Sequence, residues 1–201
     1  MVLPPFTLTW DYRCPFARNV HEHVVVALQG GADWDVTFVP FTLDGPHTGP
    51  GQPAPWDDPE RLPAQLALQV GLAVRDTQPA QFLAVHHALF SARHDQGLDL
   101  EDRDVLAQVV DDAGGSGAEA LAVVDGGEPL SALRKEHEGG VRDHQVFGVP
   151  TFIIGDQAAF VRVMTRPRGD AALARTTIER VVEQITGFPD LNELKHTSIP
   201  R

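Results

Sequence analysis

The amino-acid sequence predicts an α/β fold built in two halves around an all-helical insertion, and three observations carry that prediction. A β-α-β pattern opens the chain, a succession of amphipathic helical patterns occupies its middle, and a β-β-α pattern closes it. The change from period two to period 3.6 and back again marks the joins.

Phe6, Leu8 and Trp10 alternate with Thr7 and Thr9, which is the spacing of a strand made from β-favouring residues. The period then changes. Val20, Val24 and Leu28 repeat at i, i+4 and i+8, Pro15 suits a first helical position, and Gly30-Gly31 ends the pattern, so a helix opens at Pro15 with Cys14 at or near its N-cap. Val36, Phe38, Val39 and Phe41 mark a second strand between Trp34 and Phe41. A β-α-β unit of this kind implies parallel strands joined by a right-handed crossover.

A loop rich in glycine and proline runs from Asp44 to Asp57 and leads into the insertion. Beyond it, Leu62, Leu66 and Val70 follow a helix start near Pro59. Phe82, Leu83, Leu89 and Phe90 mark a second helix, and Val105, Leu106, Val109 and Val110 a third that Gly114-Gly115 stops. Ser116 and Glu119 have capping-box spacing ahead of Leu121 and Val124. Leu130, Leu133, His137 and Val141 form a last stripe, weakened by Gly139 and Gly140. Val149 to Ile154, a turn at Gly155-Asp156-Gln157, and Ala159 to Val163 read as a hairpin. Gly169-Asp170 then opens a final helix with Ile178, Val181, Val182 and Ile185 inward, closed by Gly187 and Pro189. The domain boundaries that follow are residues 1–56 and 147–201 for the α/β domain and 57–146 for the helical insertion. No internal repeat is present, and the tail from Leu191 to Arg201 is polar.

With 201 residues, 42% of them hydrophobic, the chain buries a real core, and its length suits one domain carrying an insertion. A formal charge of -12 argues against nucleic acid and anionic membranes as partners, since both are drawn to basic patches. No apolar run approaches the roughly 20 residues that span a bilayer. The single cysteine rules out an intrachain disulfide, and Met1-Val2-Leu3-Pro4-Pro5 lacks the charged and apolar regions of a signal peptide, so a cytoplasmic location is expected.

A β-α-β half, a helical insertion and a β-β-α half make the element order of a thioredoxin fold split by a helical subdomain. In that order Cys14 stands where unpaired backbone N–H groups and the positive end of the helix dipole both favour thiolate over thiol. Its pKa is therefore expected below the free value of about 8.5. Arg13 is expected to push the same way and Asp11 to oppose it.

Asp11-Tyr12-Arg13-Cys14-Pro15-Phe16-Ala17, a helical middle, and Phe147-Gly148-Val149-Pro150-Thr151-Phe152 resemble the DsbA family in its broad sense. That group includes DsbA-like oxidoreductases, 2-hydroxychromene-2-carboxylate isomerases and kappa-class glutathione transferases. The resemblance spans Phe6 to about Gly187. It implies that Pro150 is cis and sits beside the catalytic sulfur, with the backbone of Val149 pairing with substrate like an added strand. The departure is informative: Ala17 replaces the second cysteine of the family's C-x-x-C pair, so the chain cannot resolve a mixed disulfide internally and must take its second thiol from outside. The single-cysteine site, Phe160 after the turn, Pro167-Arg168-Gly169 and Glu193-Leu194-Lys195 look most similar to the mycothiol-dependent reductase branch.

Other candidates read more plainly. Of nine histidines, His21 stands about 10 Å along the helix from Cys14 at 1.5 Å per residue and His23 farther, so neither reaches the sulfur. The two also point to different faces, unlike a helical metal pair spaced by four. His86 and His87 flank the stripe of Phe82, Leu83 and Phe90 and read as partly buried packing residues. His144, six residues before Pro150, is read first as a helix-end packing residue and second as a cleft residue. Trp10 reads as a core or cleft wall. Trp56 stands equally between covering a planar substrate and simple packing. The acidic run Asp99, Glu101, Asp102 and Asp104 reads as a solvated helix start.

The expected function is a monothiol DsbA-like thiol–disulfide oxidoreductase. Cys14 is the nucleophile, and Arg13, Pro15, Phe16, Ala17, Val149 and Pro150 shape its site. No tightly bound cofactor and no metal are expected. A low-molecular-weight thiol, mycothiol, glutathione or similar, is the expected co-substrate, acting on a disulfide or other electrophile. One alternative is an isomerase or transferase of the 2-hydroxychromene-2-carboxylate isomerase or kappa type, in which a bound thiol cofactor does the chemistry, although those relatives usually carry serine where this chain has Cys14. The other is a non-catalytic binding protein, the reading that a Cys14 pKa near or above the free value favours. Monomer and homodimer both stay open.

Overall fold

A computed structural model describes residues 3–198. Met1 and Val2, which open the segment tested for a leader, and residues 199–201 of the tail lie outside the described residues. The first strand, β1 (Phe6–Trp10), runs parallel to β2 (Val36–Pro40), with Phe6 opposite Val36 and Trp10 opposite Pro40. The helix α1 (Pro15–Gln29) is the crossover between them. β2 is shorter than the sequence pattern implied, but Phe41 still donates its N–H to the Trp10 carbonyl at 2.8 Å. β3 (Thr151–Ile154) is antiparallel to β1, and β4 (Gln157–Phe160) is antiparallel to β3, giving the order β2-β1-β3-β4 with β4 at an edge.

The hairpin's second strand stops at Phe160 instead of continuing to Val163, and the reason lies on α1. Asn19 donates to the Val163 carbonyl at 3.0 Å, His23 Nε2 to the Thr165 carbonyl at 3.1 Å, and Glu22 pairs with Arg166. Three polar side chains within one turn and a half of α1 thus draw residues 163–166 out of the sheet and onto the helix, where the Val163 and Thr165 carbonyls find donors and the Arg166 side chain finds a carboxylate.

Between β2 and β3 stand a 3₁₀ turn (Pro63–Gln65) and five helices: α2 (Leu66–Thr77), α3 (Phe82–His94), α4 (Arg103–Asp112), α5 (Gly117–Gly126) and α6 (Glu128–His144). Pro59 lies in a turn that Asp58 and Arg61 close with an ion pair at 2.8 Å, so α2 begins several residues later than Pro59 implied. Only half of the expected capping box forms. Ser116 Oγ accepts from the Glu119 N–H, but the Ser116 N–H goes to Gln78 Oε1 at 2.7 Å, which ties α5 to the end of α2. α6 continues unbroken across Gly139 and Gly140; Leu133 and His137 face inward, while Val141 is exposed.

The last helix, α7 (Ala171–Gly187), is capped by Asp170, whose carboxylate accepts from the Ala172 and Leu173 N–H groups. Ala174, Ile178 and Val182 repeat every four residues and are buried. α7 crosses α1 so closely that a Cβ on Gly30 would stand 2.6 Å from Ala171 Cβ. The core behind the sheet is dominated by Leu8, Trp10, Phe41, Phe90 and Phe152, all fully buried. No helix among the described residues is long and apolar enough to cross a membrane.

Candidate active site

β1 delivers the chain to α1 through the short turn Asp11-Tyr12-Arg13-Cys14. Cys14 is the N-cap of α1, with extended backbone (φ -89°, ψ 116°), and its sulfur accepts the Ala17 N–H at 3.4 Å. A cap must offer an acceptor to the first free amides of a helix, and here sulfur fills the place that a Ser or Asp oxygen usually takes. On the other side, the Val149–Pro150 bond is cis, and the Cys14 thiol donates to the Val149 carbonyl at 3.3 Å. Pro15 occupies the first helical position, where its missing N–H costs nothing. Ala17, whose N–H points at the sulfur, is fully buried. Cys14 itself is only 6% exposed.

The expectation of a lowered thiol pKa is reversed. Burial pushes the Cys14 thiol up, the Ala17 and Phe16 N–H groups pull it back, and the Asp11 carboxylate adds a further upward push. Arg13 does not help, because its charge is spent elsewhere. It forks onto Asp11 through Nε and a terminal nitrogen, at 3.1 and 2.7 Å, and reaches Asp44 with the other terminal nitrogen at 2.9 Å. Asp11 is buried and also accepts the Leu43 N–H at 2.9 Å. Arg13 therefore ties the turn before α1 to the loop after β2; it does not activate the thiol.

Beneath the same turn runs a buried neutral chain. His21 Nε2 meets the Thr9 carbonyl at 3.1 Å, His21 Nδ1 meets His86 Nε2 at 2.8 Å, and His86 Nδ1 meets the Tyr12 hydroxyl at 2.8 Å. A carbonyl only accepts, so His21 carries its proton on Nε2, His86 donates from Nε2, and Tyr12 donates its O–H to His86 Nδ1. Burial keeps each member uncharged: it pushes His21 down to about 3, His86 well below its ordinary value, and Tyr12 up. The Tyr12 hydroxyl seats against Gly71, where a side chain would collide with it. His94 then donates to the Tyr12 main-chain carbonyl at 2.9 Å. The reading of His86 as a partly buried packing residue thus changes: the ring is fully buried and hydrogen-bonded on both nitrogens. The partners lie 65 and 74 residues apart in sequence, so no local pattern announces them.

The sequence profile of the DSBA-like thioredoxin domain matches residues 8–168. The chain belongs to that family. No curated protein sequence matches it significantly. Among solved structures, it is similar to a 2-hydroxychromene-2-carboxylate isomerase at 14% identity, TM-score 0.62, over 91% of this chain and 98% of that one. It is also similar to the cytosolic disulfide reductase DsbM from Pseudomonas aeruginosa with GSH, at 15% identity, TM-score 0.59, over 89% and 99%. A third likeness is to the oxidoreductase NmDsbA1 from N. meningitidis, at 15% identity, TM-score 0.58, over 93% and 86%. At these identities the likeness is one of fold.

Around the thiol of this DSBA-like domain lies a rim that sequence reasoning assembled only in part. Phe16 is half-buried, and the Arg162 guanidinium lies over its ring at 5.2 Å and over Phe160 at 6.0 Å. Phe160 in turn meets Phe147 at 5.4 Å, and Phe147 is 67% exposed. Gly148, immediately before Val149, lets Phe160 approach the loop, since a Cβ there would already touch the ring at 3.4 Å. Phe16, Val149 and Pro150 were legible as site residues; Arg162 was not, because it stands just past β4 with no motif around it. Trp56 is not a cleft wall. It is buried edge-on against His137 at 5.3 Å, and His137 stacks on Phe41 at 4.1 Å. His144 ends α6, half-buried, beside Asp143.

Proposed function

We propose that this DSBA-like domain is a cytoplasmic monothiol oxidoreductase whose catalytic cycle runs through a mixed disulfide on Cys14. The observation that carries the reading is the sulfur's place between the first free amides of α1 and the Val149 carbonyl, with Ala17 at the position where a second thiol would be needed. In the first step the Cys14 thiolate attacks one sulfur of a disulfide, forms Cys14–S–S–R and expels the other half as a thiolate. In the second, a low-molecular-weight thiolate attacks the adduct, forms a new disulfide with R and restores the Cys14 thiolate. Mycothiol, glutathione or a similar thiol serves as co-substrate; DsbM, a fold relative, is a disulfide reductase described with GSH.

Burial is the first cause of the raised thiol pKa, and a resting contact works in the same direction. The S–H···O=C bond to Val149 favours the protonated form. A substrate whose backbone takes over that carbonyl removes this one contact and leaves the Ala17 and Phe16 amides to favour thiolate against burial and the Asp11 carboxylate. The same raised pKa favours the non-catalytic binding-protein reading, and it accords with a second reading in which Cys14 stays protonated and a bound thiol cofactor does isomerase or transferase chemistry. The deciding experiment is turnover with a small disulfide and a thiol, followed by intact-mass analysis. The expected result is a mixed disulfide on Cys14 and complete loss of activity in Cys14→Ser. Full activity in that variant, with no adduct in the wild type, overturns the monothiol cycle in favour of the second reading.

A further inference from the structure

A chain of formal charge -12 repels small anions, so a thiol co-substrate that carries carboxylates needs a local cation at the mouth of the site. Five arginines, Arg13, Arg18, Arg162, Arg166 and Arg168, stand on the turn before α1, on α1 and on the segment after β4, and three are already spent. Arg13 is held by Asp11 and Asp44. Arg18 pairs with Asp95 at 2.6 Å, and Arg166 pairs with Asp95 at 2.9 Å and with Glu22. Arg162 and Arg168 make no hydrogen bond or ion pair among the described residues and both are exposed, but of the two only Arg162 lies over aromatic rings of the rim. Glu193, on the tail, is paired with Lys195 and feels Arg162 only as a weaker, additional charge.

The position of Arg162 is fixed by what flanks it. Its guanidinium rests over Phe16, two residues past the thiol, and over Phe160, which lies against Gly148 beside the Val149 carbonyl. Aromatic faces on a guanidinium hold its plane but leave its N–H edge free, and that edge matches the two oxygens of a carboxylate. Phe16 follows Cys14 by two residues on α1 and Phe160 lies against Gly148 on the cis-proline loop, so Arg162 stands on the same rim as the thiol.

We infer that Arg162 is the anion-recognition residue of the thiol site and selects a small co-substrate bearing a carboxylate over a neutral one. The inference rests on the monothiol reading above and makes it narrower: peptide-like thiols with free carboxylates are favoured, and neutral sugar thiols such as mycothiol are not.

Two measurements test it. The rate at which Cys14 gains a mixed disulfide is followed by intact mass with glutathione disulfide, which is anionic, and with bis(2-hydroxyethyl) disulfide, which is neutral. In Arg162→Ala the anionic rate falls about tenfold and the neutral rate is unchanged, and in Arg162→Glu the anionic rate falls further. The wild-type preference for the anionic disulfide also shrinks with added salt, as expected for a charge at an exposed rim. Equal slowing of both reagents, or of neither, overturns the assignment. Binding of S-methylglutathione to the Cys14→Ser chain, measured by calorimetry, tests Arg162 without any thiol chemistry: weaker binding after adding Arg162→Ala supports it, and unchanged or undetectable binding overturns it. A chain that never loads Cys14 but still binds S-methylglutathione through Arg162 loses the monothiol cycle and keeps the anion site.

Discussion

The two sides of the turn before α1 are built on opposite terms. Its underside, from Thr9 through His21 and His86 to Tyr12, is buried and neutral, and each donor has one acceptor. Its rim, from half-buried Phe16 past exposed Arg162 to Phe160 and Phe147, is open, aromatic and short of partners. A buried polar chain is stabilising only when complete, because any orphaned group then bears its full desolvation cost. A rim with a free cation and exposed rings contributes little to folding. Stability should therefore be concentrated beneath the thiol and selectivity around it.

Acid is the strongest way to test that division. Unfolded, each imidazole titrates near 6.5; folded, His21 takes a proton only near about 3 and His137 near about 4, with His86 also well below its ordinary value. Between those values the unfolded chain binds more protons, so stability is fully present above pH 6.5 and falls as the pH drops. By pH 5 His21 and His137 each remove about 2 kcal/mol, and His86 acts in the same direction. Urea denaturation at pH 7.5, 6 and 5 checks this, and a flat profile would show that these buried histidines are not held neutral.

Cutting the chain at neutral pH comes next in size. His86→Ala opens a cavity and strands the Tyr12 hydroxyl and His21 Nδ1, at a cost of about 3–5 kcal/mol, and it flattens the acid profile as well. Arg162→Ala, on the rim, should change the unfolding free energy by no more than about 0.5 kcal/mol. If the two substitutions cost the same, the contrast between underside and rim fails.

The sequence made one side of this turn far more legible than the other. The strand, the helix start at Pro15, the cap at Cys14 and the paired Val149-Pro150 segment are written in neighbouring residues, where period, proline and motif can be read directly. Tyr12, His21 and His86 are each unremarkable alone; their meaning comes from α3 packing across α1, which juxtaposes residues far apart in the chain. The sign of the Cys14 pKa was misread for a related reason. The helix start is a local feature, whereas burial under the cis-proline loop and the capture of Arg13 by Asp11 and Asp44 are tertiary facts that outweigh it. Hairpin length failed similarly, because Asn19 and His23 on α1 decide where β4 ends.

The smallest structural change bears on the rim's chemistry most directly. Ala17 is buried and donates its N–H to the Cys14 sulfur at 3.4 Å. Helix geometry places α-carbons three residues apart at about 5 Å, within the range a disulfide spans. Ala17→Cys adds one sulfur to a filled space, which should cost about 1–3 kcal/mol by overpacking. Its chemical effect is qualitative: the new thiolate attacks the Cys14–S–S–R adduct, closes an internal disulfide and expels R as a thiolate, so no external thiol is needed for that release. Intact mass should show the Cys14 adduct replaced by a species two hydrogens lighter than the reduced chain. An adduct that persists as long as in the wild type would mean that geometry, and not the absence of a second sulfur, makes this site dependent on an outside thiol.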